Sequence, residues 1–261
     1  MSGFFERTQV LGCAVDVVDQ EQALAVIRHA IRQRETCQVV SANAEMIDAA
    51  QSDSGLRKVF SEAGLVTPDG IGAVWALRRQ GYPVSKRVTG VDLTAVLTEI
   101  AAREGWRIFV LGSRPEVLED LRAIWSRTLP GLQLAGMQHG YFSELELPGI
   151  LESIRSSQAD ILLVALGSPR QEFFLRDHLA WLGIPVGMGI GGTLDVLSGR
   201  AERAPAFWRR FGLEWLYRLI KEPSRFKRQL ALPRFASRVL AAPSGKSPVR
   251  QQRILPNEDQ L

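Results

Sequence analysis

Asp69 stands between Pro68 and Gly70, directly after the short apolar run Leu65–Thr67. A carboxylate just beyond a strand end projects into a crevice, where it can take the proton of a substrate hydroxyl. It can equally cap the helix suggested by the residues after it. Ser41 and Asn43 come after another apolar run in the same way. Both can donate and accept hydrogen bonds, as sugar recognition requires, and both suit the cap of a helix starting near Ala44. Gln171 falls in the first turn after Gly167-Ser168-Pro169, with an amide able to hold a sugar or phosphate oxygen. Arg87 lies in the loop Lys86-Arg87-Val88-Thr89-Gly90. Its planar fork suits phosphate, although a lone loop arginine is ordinarily solvated.

The run Gly187-Met188-Gly189-Ile190-Gly191-Gly192 formally matches G-x-G-x-x-G. A dinucleotide fingerprint needs a further βα unit with an acid at a second strand end, and after Gly192 the pattern holds only helices. The run reads instead as a turn in which Gly191 and Gly192 let backbone N–H groups approach a phosphate at a helix start. Asp195 suits a ribose or base hydrogen bond, or a helix-stabilising acid in the first turn. The sequence has no D-x-D, Walker A or G-x-S-x-G, and His29, His139 and His178 are not spaced as metal ligands. No metal and no cofactor is expected, so arginines and helix N-termini must stabilise any leaving phosphate.

Apolar periodicity supplies the elements that position these residues. Strands are expected at Gln9–Val18, Gln38–Ser41, Leu65–Thr67, Arg107–Leu111, Leu132–Met137, Ile161–Leu166 and Pro185–Met188. Helices are expected at Glu21–Arg34, Ala44–Ala50, Asp53–Glu62, Gly70–Gln80, Asp92–Arg103, Pro115–Arg127, Leu147–Ser156 and Arg170–Leu182. The runs 107–111 and 161–166 are almost wholly apolar, as in parallel strands covered on both faces. Alternating βα units imply an α/β fold with a largely parallel open sheet flanked by helices. Such a sheet binds ligands at the carboxyl ends of its strands, where Ser41, Asn43, Asp69, Gln171, Gly191 and Gly192 gather.

The chain of 261 residues carries a formal net charge of +4, unevenly spread. Residues 200–240 hold eleven Lys and Arg against three Glu, so the remainder is net acidic. The same segment carries Phe207, Trp208, Phe211, Trp215, Leu216, Leu219 and Ile220 at helical spacing, and Pro223 and Pro233 are expected to divide the rest of it into shorter helices. Arginine stems and aromatic rings together favour an anionic membrane surface. Nucleic acid is the lesser candidate partner, because no nucleic-acid-binding module precedes the patch. The apolar seam also offers a surface for homo-oligomers. The layout suggests an α/β catalytic domain over 1–200, a basic helical appendage over 201–242 and a disordered tail over 243–261. Deletion of 201–261 is expected to leave a folded core. Two cysteines, Cys13 and Cys37, and a start without a signal-peptide pattern fit a cytoplasmic protein, peripheral on the inner face of the membrane.

From about Gln9 to Leu240 the chain resembles the WecG/TagA/CpsF family of bacterial glycosyltransferases. The resemblance rests on an ordered set of motifs: Ser41-Ala42-Asn43-Ala44-Glu45, Thr67-Pro68-Asp69-Gly70, Arg87-Val88-Thr89-Gly90, Gly167-Ser168-Pro169-Arg170-Gln171-Glu172, Gly191-Gly192-Thr193-Leu194-Asp195, Arg203-Ala204-Pro205 and Gly212-Leu213-Glu214-Trp215-Leu216-Tyr217-Arg218. It implies inverting, metal-free transfer of a hexose or N-acetylhexosamine-type sugar from a UDP-sugar to a polyprenyl-diphosphate-linked sugar. It also implies a GT-E-like fold with a C-terminal membrane-docking appendage. By this resemblance Asp69 is the general base, and Asn43 and Gln171 position the sugar. Ser41 supplies the hydroxyl that threonine often supplies in the family, and Ala42 stands where proline is common. Arg87 faces phosphate, Asp195 contacts the nucleotide, and Arg218, Arg225 and Arg228 neutralise diphosphates. Two other classes remain open on the residues alone: a soluble nucleotide-dependent oxidoreductase and a non-catalytic membrane-surface scaffold.

Overall fold

The computed structural model describes residues 4–84, 87–205, 207–208, 213–221, 223, 226–243, 245 and 251–254. Arg225 and Phe211 lie outside the described residues, and so does the side chain of Arg218.

The chain opens on an antiparallel hairpin, β1 (Phe4–Val10) and β2 (Cys13–Val17). One strand over Gln9–Val18 was expected. The chain instead reverses at Leu11-Gly12, where φ is 50° and 79°. Glycine adopts that conformation freely, whereas leucine rarely does, so the turn lacks the usual hairpin signature. β9 (Gln251–Ile254) pairs with the other edge of β1, within the tail expected to be disordered. Asp16, fully buried on β2, receives two hydrogen bonds from Arg7, at 2.6 and 2.7 Å. Its Oδ2 also accepts the Val66 N–H at 2.7 Å.

The main sheet contains β3 (Cys37–Ala42), β4 (Leu65–Pro68), β5 (Arg107–Gly112), β6 (Gln133–Gln138), β7 (Ile161–Ala165) and β8 (Val186–Gly189). Its order is β4-β3-β8-β7-β5-β6, and each neighbouring pair runs parallel. Every residue of β7 is buried. Ile161 and Leu163 join one core cluster, and Leu162 and Val164 another, as strand alternation between two covered faces requires. The first cluster is filled from α1 (Gln20–Gln33), α5 (Gly90–Glu104) and α6 (Pro115–Thr128), and the other from α7 (Leu147–Ser156) and α8 (Arg170–Leu182). Asp19 caps α1 in a reciprocal capping box with Gln22.

A third cluster lies under α2 (Ala44–Ala49), α3 (Ser54–Glu62) and α4 (Gly70–Arg79). After the short α9 (Thr193–Leu197), the described C-terminal helices are α10 (Glu214–Lys221), α11 (Phe226–Gln229) and α12 (Ala231–Ala241). Pro233 sits in the first turn of α12, where its missing N–H costs nothing, so it does not break the helix. Phe235 and Val239 of α12 are 2% and 6% exposed and belong to the third cluster. Phe235 meets Trp75 edge-on and lies over Gly72, where an added Cβ would stand 3.4 Å from the ring. Arg234 and Arg238 pair with the Asp48 carboxylate on α2. This part of the basic segment is therefore built into the body.

Candidate functional site

The carboxyl ends of the adjacent strands β4, β3, β8 and β7 open into a cavity of about 320 Å³. Asp69, Ser41, Asn43, Gln171, Gly191, Gly192, Arg87 and Arg228 all line it. Asp195 does not: it turns away to pair with Arg114 at 3.0 Å.

Asp69 occupies the cap position of α4 but makes no side-chain capping bond there. Gly70, at φ 79°, turns the chain and frees the carboxylate from α4. Asp69 Oδ2 instead accepts the Gly90 N–H at 3.2 Å, at the positive end of the fifteen-residue helix α5. An added Cβ on Gly90 would lie 3.3 Å from Ser41 Oγ, 3.9 Å from Asp69 Oδ2 and 3.9 Å from Thr193 Oγ1. Three side-chain oxygens thus converge on one small glycine space. Ser41 Oγ is buried there without a hydrogen-bond partner among the described residues. Buried hydroxyls are ordinarily paired, so this one marks a place for a ligand or water.

Asn43 takes the capping role: its Oδ1 accepts the Met46 N–H at 2.9 Å. Its amide nitrogen is what remains for a ligand. Gln171 is 5% exposed and engaged at both ends. Its Oε1 accepts the Gly191 N–H at 3.0 Å, and its Nε2 donates to Glu172 Oε1 at 2.7 Å. The glycine-rich turn is accordingly less open to phosphate than its sequence suggests. Gly191 N–H is held by Gln171, and Thr193 N–H by the Ile190 carbonyl at 3.0 Å.

Arg87 reaches across to α10, where its Nη2 lies 2.7 Å from Glu214 Oε2. Arg203 forms a parallel bridge at 2.6 Å to Asp92, in the first turn of α5. The Arg203 hydrogen bond holds the Asp92 carboxyl below the usual carboxylate range, against the effect of burial. Thr89 and the nearby Arg87 charge add to it. Arg228 Nε lies 3.3 Å from Glu45 Oε2, and Gln229 Nε2 lies 3.2 Å from Glu45 Oε1. Glu214, Trp215, Arg228, Gln229 and Leu232 form a roof of C-terminal segments over a floor of strand ends.

Sequence reasoning passed over Thr193, Glu172 and Glu214 as site residues. Thr193 and Glu172 looked like ordinary first-turn helix residues, and only their burial, at 4% and 2% exposed, sets them apart. Glu214 was visible as one of three acids in a strongly basic segment.

Among the described residues, four carboxylates line the cavity: Glu214 is bridged to Arg87, Glu45 to Arg228, and Glu172 accepts from Gln171, which leaves Asp69, beside the Ser41 hydroxyl and the Asn43 amide, as the one suited to proton transfer. The family model described as Glycosyl transferase WecG/TagA/CpsF family matches residues 8–248, the roof helices included. The chain therefore belongs to the WecG/TagA/CpsF family of glycosyltransferases, enzymes of cell-surface polysaccharide synthesis.

Proposed function

We propose that this glycosyltransferase moves a hexose or N-acetylhexosamine-type sugar from a UDP-sugar to a polyprenyl-diphosphate-linked sugar, with inversion and without a metal ion. The observation that carries the reading is Asp69, whose carboxylate is turned away from its own helix and into a cavity with Ser41 and Asn43. Asp69 takes the proton of the acceptor hydroxyl. That oxygen bonds to the anomeric carbon from one face as the bond to the UDP oxygen breaks on the other. One displacement inverts the centre, and UDP leaves with the bonding pair. Arginines stabilise the charge on UDP, a contribution commonly worth several kcal/mol (roughly 3–4 for a single well-placed donor). Asn43 and Ser41 orient the sugars. In this reading Arg87 and Arg228 exchange their carboxylate partners for phosphate when substrate enters. The roles of Arg218 and Arg225 toward the diphosphates, and of Asp195 toward the nucleotide, rest on resemblance alone.

Work at a membrane surface is part of the same proposal. Ile71 at the cavity rim is 49% exposed, and Phe226, Leu230 and Leu240 are 59%, 44% and 57% exposed, among the arginines of α11 and α12. Exposed apolar side chains among basic ones suit the interface of an anionic bilayer. No helix among the described residues is long and apolar enough to cross a membrane.

The test is UDP release by the purified protein, with a panel of UDP-sugars and polyprenyl-diphosphate-sugar acceptors in liposomes containing EDTA. Acceptor-dependent release with one donor is the expected result. Binding of liposomes without binding of any UDP-sugar would overturn the reading in favour of a scaffold.

A further inference from the structure

Glu172 is a carboxylic acid near the start of α8, 2% exposed, on the floor of the cavity. Its main chain is anchored, because Gln38 Nε2 on β3 donates to the Glu172 carbonyl at 3.0 Å. Its Oε1 accepts from Gln171 Nε2 at 2.7 Å, and Gln171 Oε1 accepts from Gly191 N at 3.0 Å. The two side chains pack directly over Gly189. A Cβ there would stand 2.8 Å from Gln171 Nε2 and 3.0 Å from Glu172 Oε1. A buried acid, an amide and a glycine turn thus form one continuous relay from β3 to the cavity wall.

We propose that Glu172 is a positioning residue for the glycine-rich turn: its carboxyl orients the Gln171 amide, and that amide holds the Gly191 N–H and with it the cavity face of residues 189–193. The polarity of the relay makes the acid necessary. An amide beside an apolar neighbour can rotate end for end, which would present its NH2 to the Gly191 N–H, donor against donor. An acceptor at Glu172 Oε1 forbids that flip, because it demands the NH2 on its own side. Burial pushes the Glu172 carboxyl up, while its hydrogen bonds to Gln171 and the nearby Ser168 pull the other way. Oε2 itself makes no hydrogen bond of normal geometry among the described residues.

The test compares Glu172→Met, of similar volume but without an acceptor, with Glu172→Gln, which can keep an acceptor toward Gln171. The first readout is hydrogen exchange by mass spectrometry over 187–193, which needs no substrate. Loss of one buried hydrogen bond corresponds to about a tenfold effect. Glu172→Met is expected to speed exchange in this segment by about tenfold or more, with the β7 and α8 peptides unchanged. Glu172→Gln is expected to return most of the protection. The second readout is donor KM against kcat, expected to show KM raised by about tenfold in Glu172→Met and restored to within a few-fold in Glu172→Gln. This KM readout rests on the glycosyl-transfer reading, whereas the exchange readout does not, so the two can fail separately. Unchanged exchange over 187–193 in Glu172→Met would overturn the proposal. So would equal loss in both variants, or a rise in exchange spread over the whole protein, which would mark a merely structural acid.

Discussion

Replacing Phe235 by alanine tests whether α12 belongs to the body of the enzyme. The ring is 2% exposed and joins a cluster that includes Ala44, Ile47, Ala73 and Leu77. It fills the space over Gly72 and meets Trp75 with ring centroids 6.5 Å apart. Truncating a buried phenylalanine costs about 3–5 kcal/mol, transfer and cavity together. For a domain of this size each kcal/mol lowers Tm by about 2–4 °C, so a drop of about 6–20 °C is expected. Leu240, on the same helix but 57% exposed, is the control. Its alanine variant should stay within about 0.5 kcal/mol of wild type. The assay is thermal unfolding by circular dichroism without lipid. If Phe235→Ala and Leu240→Ala shift Tm equally, α12 is not packed on the body in solution, and the cavity has no fixed roof. The same packing predicts that a chain ended at residue 230 loses much more stability than one ended at 243, which keeps α12 and lacks only the tail with β9.

Asp69→Asn should lower the rate of UDP release by about 10²–10⁴-fold with Tm nearly unchanged, and an unaltered rate would remove Asp69 as the base. Glu214→Gln should weaken the hold on Arg87 and lower the KM of the phosphate-bearing substrate in the liposome assay, since Arg87 then has less to give up; a raised KM would show that the pair orders the roof instead. The Cys13 thiol is pushed up to about 11, chiefly by burial, with Arg57 opposing. The unfolded chain releases this proton at lower pH, near 9.0, so its contribution to stability is intact below that value and is lost between 9 and 11. The stability gap between wild type and Cys13→Ala, measured by urea unfolding, should therefore narrow over that window and stay constant below it.

Much of the sheet was legible because its strands are uninterrupted apolar runs and their ends carry glycine and polar residues. The helices Leu147–Ser156 and Arg170–Leu182 appear at the residues expected from periodicity. The hairpin at Leu11-Gly12 was not legible, because its turn residues do not announce a reversal. Nor was the destination of α12: an apolar stripe at helical spacing faces a membrane or a core with the same pattern, and only the packing of Phe235 decides. For the site, spacing brought Asp69, Ser41, Asn43 and Gln171 to strand ends and left Arg87 in a loop, but did not decide what each side chain does. Asn43 turned out to cap its helix and Asp69 did not, a difference set by local backbone angles that residue type does not reveal. Asp195 was placed near the right turn yet faces Arg114, because a helix offers each residue a different side.

The contact between Asp16 and Val66 also protects one border of the main sheet. β4 ends the row of parallel strands, and the outer border of such a row carries unpaired amides that invite a foreign strand. Here a carboxylate from the hairpin takes one of those amides, while the Arg7 that neutralises it also reaches the carbonyls of Ala63 and Gly64, just before β4. Two side chains thus do what a further strand would do, without extending the sheet. A chain lacking Asp16 would leave the Val66 N–H without its acceptor and the Arg7 charge without its carboxylate at this border, and is expected to show a rise in self-association.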